Sequence, residues 1–181
     1  MKSKKQKKSL FRDRLMLRRL LVTFAAAVLL GALYSLIFRF SAQEGGESGS
    51  LSRMISEKCV GFLNWLSGSR WNEAKEAEVA GWFEYPLRKL AHFSEYACMG
   101  VLVYTLWSQW ISRGKRLYIL TAAWVFLSAA GDEFHQYFVP GRCASFADVL
   151  LDTGGGVFGM LFCMVSWGLC RRHSTKKKSM P

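Results

Sequence analysis

An all-α, integral membrane bundle of four transmembrane helices is the fold class this sequence predicts, and three observations predict it. Four apolar stretches, Leu20–Phe38, Leu90–Ile111, Leu117–Phe138 and Val149–Cys170, each have the roughly 20 residues that one helix needs to cross a hydrocarbon core. Seventeen of the 25 basic residues lie in residues 1–19, the link Ser112–Arg116 and the tail after Cys170, where Asp13 is the only acid. Finally, the polar residues of the last three stretches gather at one end of each stretch. A soluble bundle would instead show a polar face along the whole length of each helix.

The elements follow in chain order. Residues 1–19 form a basic segment on the cytoplasmic side, because Lys/Arg-rich short segments stay inside. Leu20–Phe38 is the first span and a retained anchor: its apolar core exceeds that of a signal peptide, and no small-x-small site follows it. "SAQEGGESGS" (Ser41–Ser50) reads as a loop from its Gly and Ser content. Leu51, Met54, Ile55, Cys59, Phe62, Leu63 and Leu66 recur at helical spacing. They predict a short interfacial helix on the outer surface, anchored by Trp65, Trp71 and Trp82. A further short helical piece is expected over Asn72–Ala80, with Pro86 initiating the second span. Pro140 and Gly141 break the chain after the third span. The domain reading is therefore a basic segment 1–19, a transmembrane domain 20–170 and a basic cytoplasmic tail 171–181.

A net charge of +12 invites a nucleic-acid reading, but the distribution argues for membrane topology instead. With four spans, both termini and the middle link lie inside, and the basic ends meet anionic lipid headgroups. No nucleic-acid partner is expected. The five cysteines show no CxxC spacing. Cys98, Cys163 and Cys170 read as small apolar fillers, while Cys59 and Cys143 face outward within reach of a pairing that nothing requires.

The ends of the spans carry the chemistry. This topology places Ser41, Gln43, Arg88, Lys89, His92, Glu95, Tyr96, Asp132, Glu133, His135, Gln136, Asp148 and Asp152 toward the outer side. At about 100° per residue, the polar residues of each span share an arc, and three arcs in a small bundle most simply face one another. Gly155-x-x-x-Gly159 supplies a small-residue seam on the same stripe as Asp148 and Asp152. Ser145 and Asp148 have the spacing of a capping box. Lone carboxylates in hydrocarbon cost several kcal/mol or neutralise, so Glu95, Asp132, Glu133, Asp148 and Asp152 call for Arg88, Lys89, Arg142, the titratable His92 and His135, protonation of one or two acids, or a bound cation. Interhelical salt bridges that merely lock the bundle are the bland alternative. Leu and Gly would lock it more cheaply than ten ionisable groups.

The blocks "FSAQEGGESGSLS", "RKLAHFSEYACMG", "DEFHQYFVPGR" and "SFADVLLDTGGGVFG", in that order, resemble the VanZ-like family of bacterial membrane proteins from about Phe40 to Gly159. The resemblance implies a multi-pass protein of the bacterial cytoplasmic membrane, associated in some members with teicoplanin resistance. Its motif positions are Ser41, Gln43, Arg88, His92, Glu95, Tyr96, Asp132, Glu133, Gln136, Arg142, Ser145, Asp148 and Gly155. Many relatives carry Asn where this chain has Asp152. The first functional expectation is a binding site for an amphipathic envelope molecule: a lipid headgroup, a lipid-linked cell-wall precursor or a lipoglycopeptide. Ser41, Gln43, Arg88, Lys89, Tyr96, Gln136, Arg142, Ser145 and Asp152 would bind it, with guanidinium groups taking phosphate or carboxylate. The alternative is an integral-membrane enzyme, with His92, Glu95, Asp132, Glu133 and Asp148 in acid–base or metal-assisted catalysis. No Ser nucleophile motif, HExxH or phosphatase signature supports a particular reaction, and no cofactor or metal is identified. A proton relay or carrier fits poorly, because the inner halves lack polar groups.

Overall fold

The computed structural model describes residues 2–178 as five α-helices, and no strand occurs among them. They are α1 (Lys2–Ser41), α2 (Gly45–Leu66), α3 (Glu73–Trp107), α4 (Lys115–Gln136) and α5 (Phe146–Lys178). The side chains of residues 1–5, 7, 47, 48 and 169–181 lie outside the description, and with them Cys170 and the basic tail.

Among the described residues, three helices are long and apolar enough to cross a membrane: α1 within Lys8–Ser41, α4, and α5 within Phe146–Gly168. Their apolar side chains mostly face outward. Phe24 is 72% exposed, Leu127 68% and Phe162 62%, an outer surface suited to acyl chains rather than water. The chain is thus a multi-pass integral membrane protein. The buried apolar core is narrow. Ile37 of α1, Tyr96, Met99 and Val103 of α3, Val125 and Ala129 of α4 and Val149 of α5 form its main cluster.

The central element is α3, which packs against all four other helices. At 1.5 Å per residue its 35 residues run about 52 Å, beyond the ~30 Å hydrocarbon core. The expected short helix over Asn72–Ala80 is the first part of α3, not a separate piece. Asn72 caps it, accepting from the Lys75 N–H at 2.9 Å, and Glu73 and Glu76 favour its positive end. Pro86 likewise does not initiate a helix but lies inside α3, where it has no N–H to donate to the Trp82 carbonyl. Packing keeps the helix continuous across it. The α2 helix lies along this part of α3, with Ser56 Oγ donating to the Ala80 carbonyl at 2.5 Å. Asn64, 3% exposed, ties the turn between them by exchanging hydrogen bonds with the Trp71 backbone, both 3.0 Å.

The predicted loop Ser41–Ser50 is also shorter than its composition suggests, because α2 begins at Gly45. The Gly45 N–H donates to the Pro140 carbonyl at 3.1 Å, and a Cβ at Gly45 would collide with the Gly141 carbonyl. Gly141 itself adopts φ +72°, which only glycine takes readily. These glycines serve a close crossing of two connections rather than flexibility. In the same way, α1 passes residue 19 without a break.

Candidate functional site

The small-residue stripe of α5 builds the site. A Cβ on Gly155 would strike the Phe93 carbonyl, and one on Gly159 the Ala97 carbonyl. On α3, Gly100 meets Gly156 in the same way. Backbones this close bring the charged middle of α3 against the first turns of α5. There Lys89 Nζ pairs with Asp148 Oδ2, and both side chains are about one-fifth exposed.

The end of α4 meets the end of α1 beside this seam. Ser41 Oγ donates to Asp132 Oδ1 at 2.6 Å. Gln136 Nε2 donates to Asp132 Oδ2 at 3.0 Å and to Ser41 Oγ at 3.2 Å. Ser41 and Gln136 are buried, so this triangle lies inside the bundle. Glu133, the residue after Asp132, accepts the Ser145 backbone N–H at 2.9 Å. This bond and the Lys89–Asp148 pair replace the expected Ser145–Asp148 capping box.

Arg142 fastens the connection after α4. Its Nη2 donates to the Phe40 carbonyl at 2.8 Å, its Nε to the Gln43 carbonyl at 3.2 Å and its Nη1 to Gln136 Oε1 at 3.5 Å. Phe40 stands at the C-terminal end of α1, where carbonyls lack intrahelical partners. Burial foremost, and then the nearby Arg88, lowers the Arg142 pKa from the ordinary arginine value, but the guanidinium stays charged.

At the centre, one ligand-type atom from each of His92, Asp132 and Asp152 lies within 4.8 Å of the others. Asp152 is 2% exposed. Its Oδ1 and the Nδ1 of His92 are buried with no hydrogen-bond partner. Glu95 Oε2 stands 3.9 Å from His92 Nδ1.

A partly open cavity of about 390 Å³ adjoins this cluster. Leu51 and Ile55 of α2 and Leu87 and Leu90 of α3 make apolar wall, while Gln43, Arg88, His92, Glu95 and Arg142 supply its polar groups. Arg88 donates from Nη2 to Glu84 Oε1 at 3.0 Å and from Nε to Ser52 Oγ at 3.3 Å.

The structure therefore brings Ser41, Lys89, His92, Glu95, Asp132, Glu133, Gln136, Arg142, Asp148 and Asp152 into one region. Other expected residues border this region. Tyr96 is a buried core residue, 1% exposed, beside the Asp132, Asp152 and Glu95 carboxylates, with its hydroxyl 3.5 Å from the Ser128 carbonyl. Ser145 contributes its backbone N–H and Gln43 its carbonyl. His135 packs its ring on Phe38, with centroids 4.8 Å apart. Cys59 and Cys143 are both free and exposed. Sequence reasoning missed Ser52 and Glu84, which hold Arg88, and the role of α2 as a wall of the cavity. The i,i+4 spacing of Glu84 and Arg88 was a usable signal; Ser52 offered none. It also missed the chain Trp124 Nε1 to Tyr34 Oη, 2.9 Å, and Tyr34 Oη to Ser128 Oγ, 2.5 Å, which joins α1 to α4.

Comparison with known proteins yields one family. The model of the VanZ/LLP1 family matches residues 24–168. No curated protein and no solved structure matches the chain.

Proposed function

The chain belongs to the VanZ/LLP1 family, and from that premise we propose that it binds an amphipathic envelope molecule in the cavity between α2, α3 and the connection after α4. The molecule would be a lipid headgroup, a lipid-linked cell-wall precursor or a lipoglycopeptide. The observation that carries this reading is the composition of the cavity: an apolar wall from Leu51, Ile55, Leu87 and Leu90 beside a charged end formed by Arg88, His92, Glu95 and Arg142. An acyl or isoprenoid chain suits the first part and a phosphate- or carboxylate-bearing headgroup the second. At about 390 Å³, the cavity has room for a headgroup and the first part of a chain, with the rest lying along the exposed apolar helices.

The reading takes four spans in the bacterial cytoplasmic membrane, with α3 as the second and both termini cytoplasmic. The cavity then faces the outer leaflet. One hydrogen bond supports the count. Ser41 at the end of α1 meets Asp132 near the end of α4, so these two apolar helices finish at the same level. The chain between them must return across the membrane, and α3 is the helix that can do so. The basic residue distribution supports the orientation. A contribution to teicoplanin-type glycopeptide resistance is the cellular consequence this reading predicts.

Native mass spectrometry of protein released from bacterial membranes tests the binding. The wild type is expected to retain lipid-like adducts, and Ile55→Trp, which fills the cavity from its apolar wall, to lose most of them. A wild type that flies without adducts, or a variant that keeps them all, would sink the proposal.

A further inference from the structure

The geometry points to a divalent transition-metal site, of the Zn²⁺ or Mn²⁺ class, formed by His92, Asp132 and Asp152 at the inner edge of the cavity. One ligand-type atom from each side chain lies within 4.8 Å of the other two. Ligand atoms bound at about 2.0–2.2 Å to one metal are themselves ~3–3.5 Å apart, so small side-chain rotations close the set.

Two independent observations make this more than a cluster of acids. Asp152 is 2% exposed and its Oδ1 has no hydrogen-bond partner; His92 Nδ1 is also buried without one, with Glu95 Oε2 3.9 Å away. Buried polar atoms are nearly always satisfied, and a metal satisfies both kinds at once. The charge balance agrees. Lys89 is taken by Asp148 and Arg88 by Glu84. Among the described residues, none of Glu95, Asp132, Glu133 and Asp152 forms an ion pair with a Lys or Arg. A dication supplies the missing positive charge.

The surrounding groups already act as an outer shell. Ser41 and Gln136 each donate to Asp132, which fixes the carboxylate and leaves lone pairs for a metal. One imidazole with two carboxylates selects Zn²⁺, Mn²⁺ or Fe²⁺ over soft cations, since no thiolate is present in the set. His92 also lines the cavity, so an open coordination position would face it and could take a phosphate oxygen. That last link rests on the function proposed above; the metal site itself does not.

The test uses full-length protein purified in detergent, stripped with chelator, then dialysed against Zn²⁺, Mn²⁺ or Mg²⁺ and measured by elemental mass spectrometry. The wild type is expected to hold about one equivalent of Zn²⁺ or Mn²⁺. His92→Gln and Asp152→Leu should each weaken binding by at least about tenfold. His135→Gln, whose ring packs on Phe38 outside the set, should leave the stoichiometry unchanged. Pulsed electron paramagnetic resonance of the Mn²⁺-loaded protein covers the case in which a ligand variant fails to fold. It should show nitrogen coupling in the wild type and in His135→Gln. A wild type that takes up no Zn²⁺ or Mn²⁺, uptake of Mg²⁺ alone, Asp152→Leu with full occupancy, or bound Mn²⁺ without nitrogen coupling would each overturn the site. Lipid adducts on a wild type that takes up no Zn²⁺ or Mn²⁺ would overturn the metal while leaving the binding function standing.

Discussion

Arg142 shows how one side chain can brace a site as well as line it. Three of its donors go to the Phe40 and Gln43 carbonyls and to Gln136, so the guanidinium closes the end of α1 and braces the Asp132 triangle. From sequence the residue reads as an anion ligand. Two of its partners are backbone carbonyls about a hundred positions away, which no side-chain pattern encodes. The residue types of the site were legible because ionisable groups are scarce in apolar stretches and expensive there. Their pairing was not. Lys89 and Asp148 illustrate a pairing with a measurable consequence. Lys89→Met leaves Asp148 without its cation in a mostly buried place, and the expected loss is about 1–3 kcal/mol. The double variant Lys89→Met/Asp148→Leu removes both charges and should recover most of that loss. Thermal unfolding in detergent measures the cycle. An additive double variant would mean that the two groups do not interact.

Helices were readable where hydropathy alone decides them and misread where packing decides them. The apolar runs of α1, α4 and α5 announced themselves, and each became a helix. Ser41–Ser50 and Asn72–Ala80 went astray because Gly, Ser and Pro mark breaks only when nothing outside the segment opposes them. Here Gly45 is pressed against Gly141, and α2 supports the first half of α3 through Ser56 and Asn64. The α3–α5 seam makes a prediction of opposite signs for neighbouring glycines of one helix. Gly159 faces the Ala97 backbone, whereas Gly154 has open space around its Cβ position. Gly159→Val should force the helices apart and cost about 1–3 kcal/mol or more. Gly154→Ala should be neutral or stabilise by about 0.5–1 kcal/mol, since alanine is the better helix former. Equal effects at the two positions in a thermal-shift series would contradict the seam.

At the scale of the whole molecule, the contacts and the charges constrain topology by separate routes. The Ser41–Asp132 and Ser41–Gln136 bonds fix the ends of α1 and α4 at one level. If both helices cross, they run in the same direction, and the chain joining them has to recross between them. On the proposed topology the charged helix α3 makes that crossing, although it is not among the three helices apolar enough to cross by composition. It can bear this because Lys89, His92 and Glu95 face protein and the cavity rather than lipid. The proposed orientation draws independently on Lys/Arg, concentrated at residues 1–19 and at Ser112–Arg116. Cys59 on α2 and Cys143 after α4 are both exposed and free, and both would stand on the outer face. A membrane-impermeant maleimide applied to intact cells should label both, and a cysteine placed at Ser112 in a Cys59→Ser/Cys143→Ser background should react only after permeabilisation. Labelling of Cys59 but not Cys143 would put the ends of α1 and α4 on opposite sides. That outcome is incompatible with a hydrogen bond between them, and it would dissolve the site along with the topology.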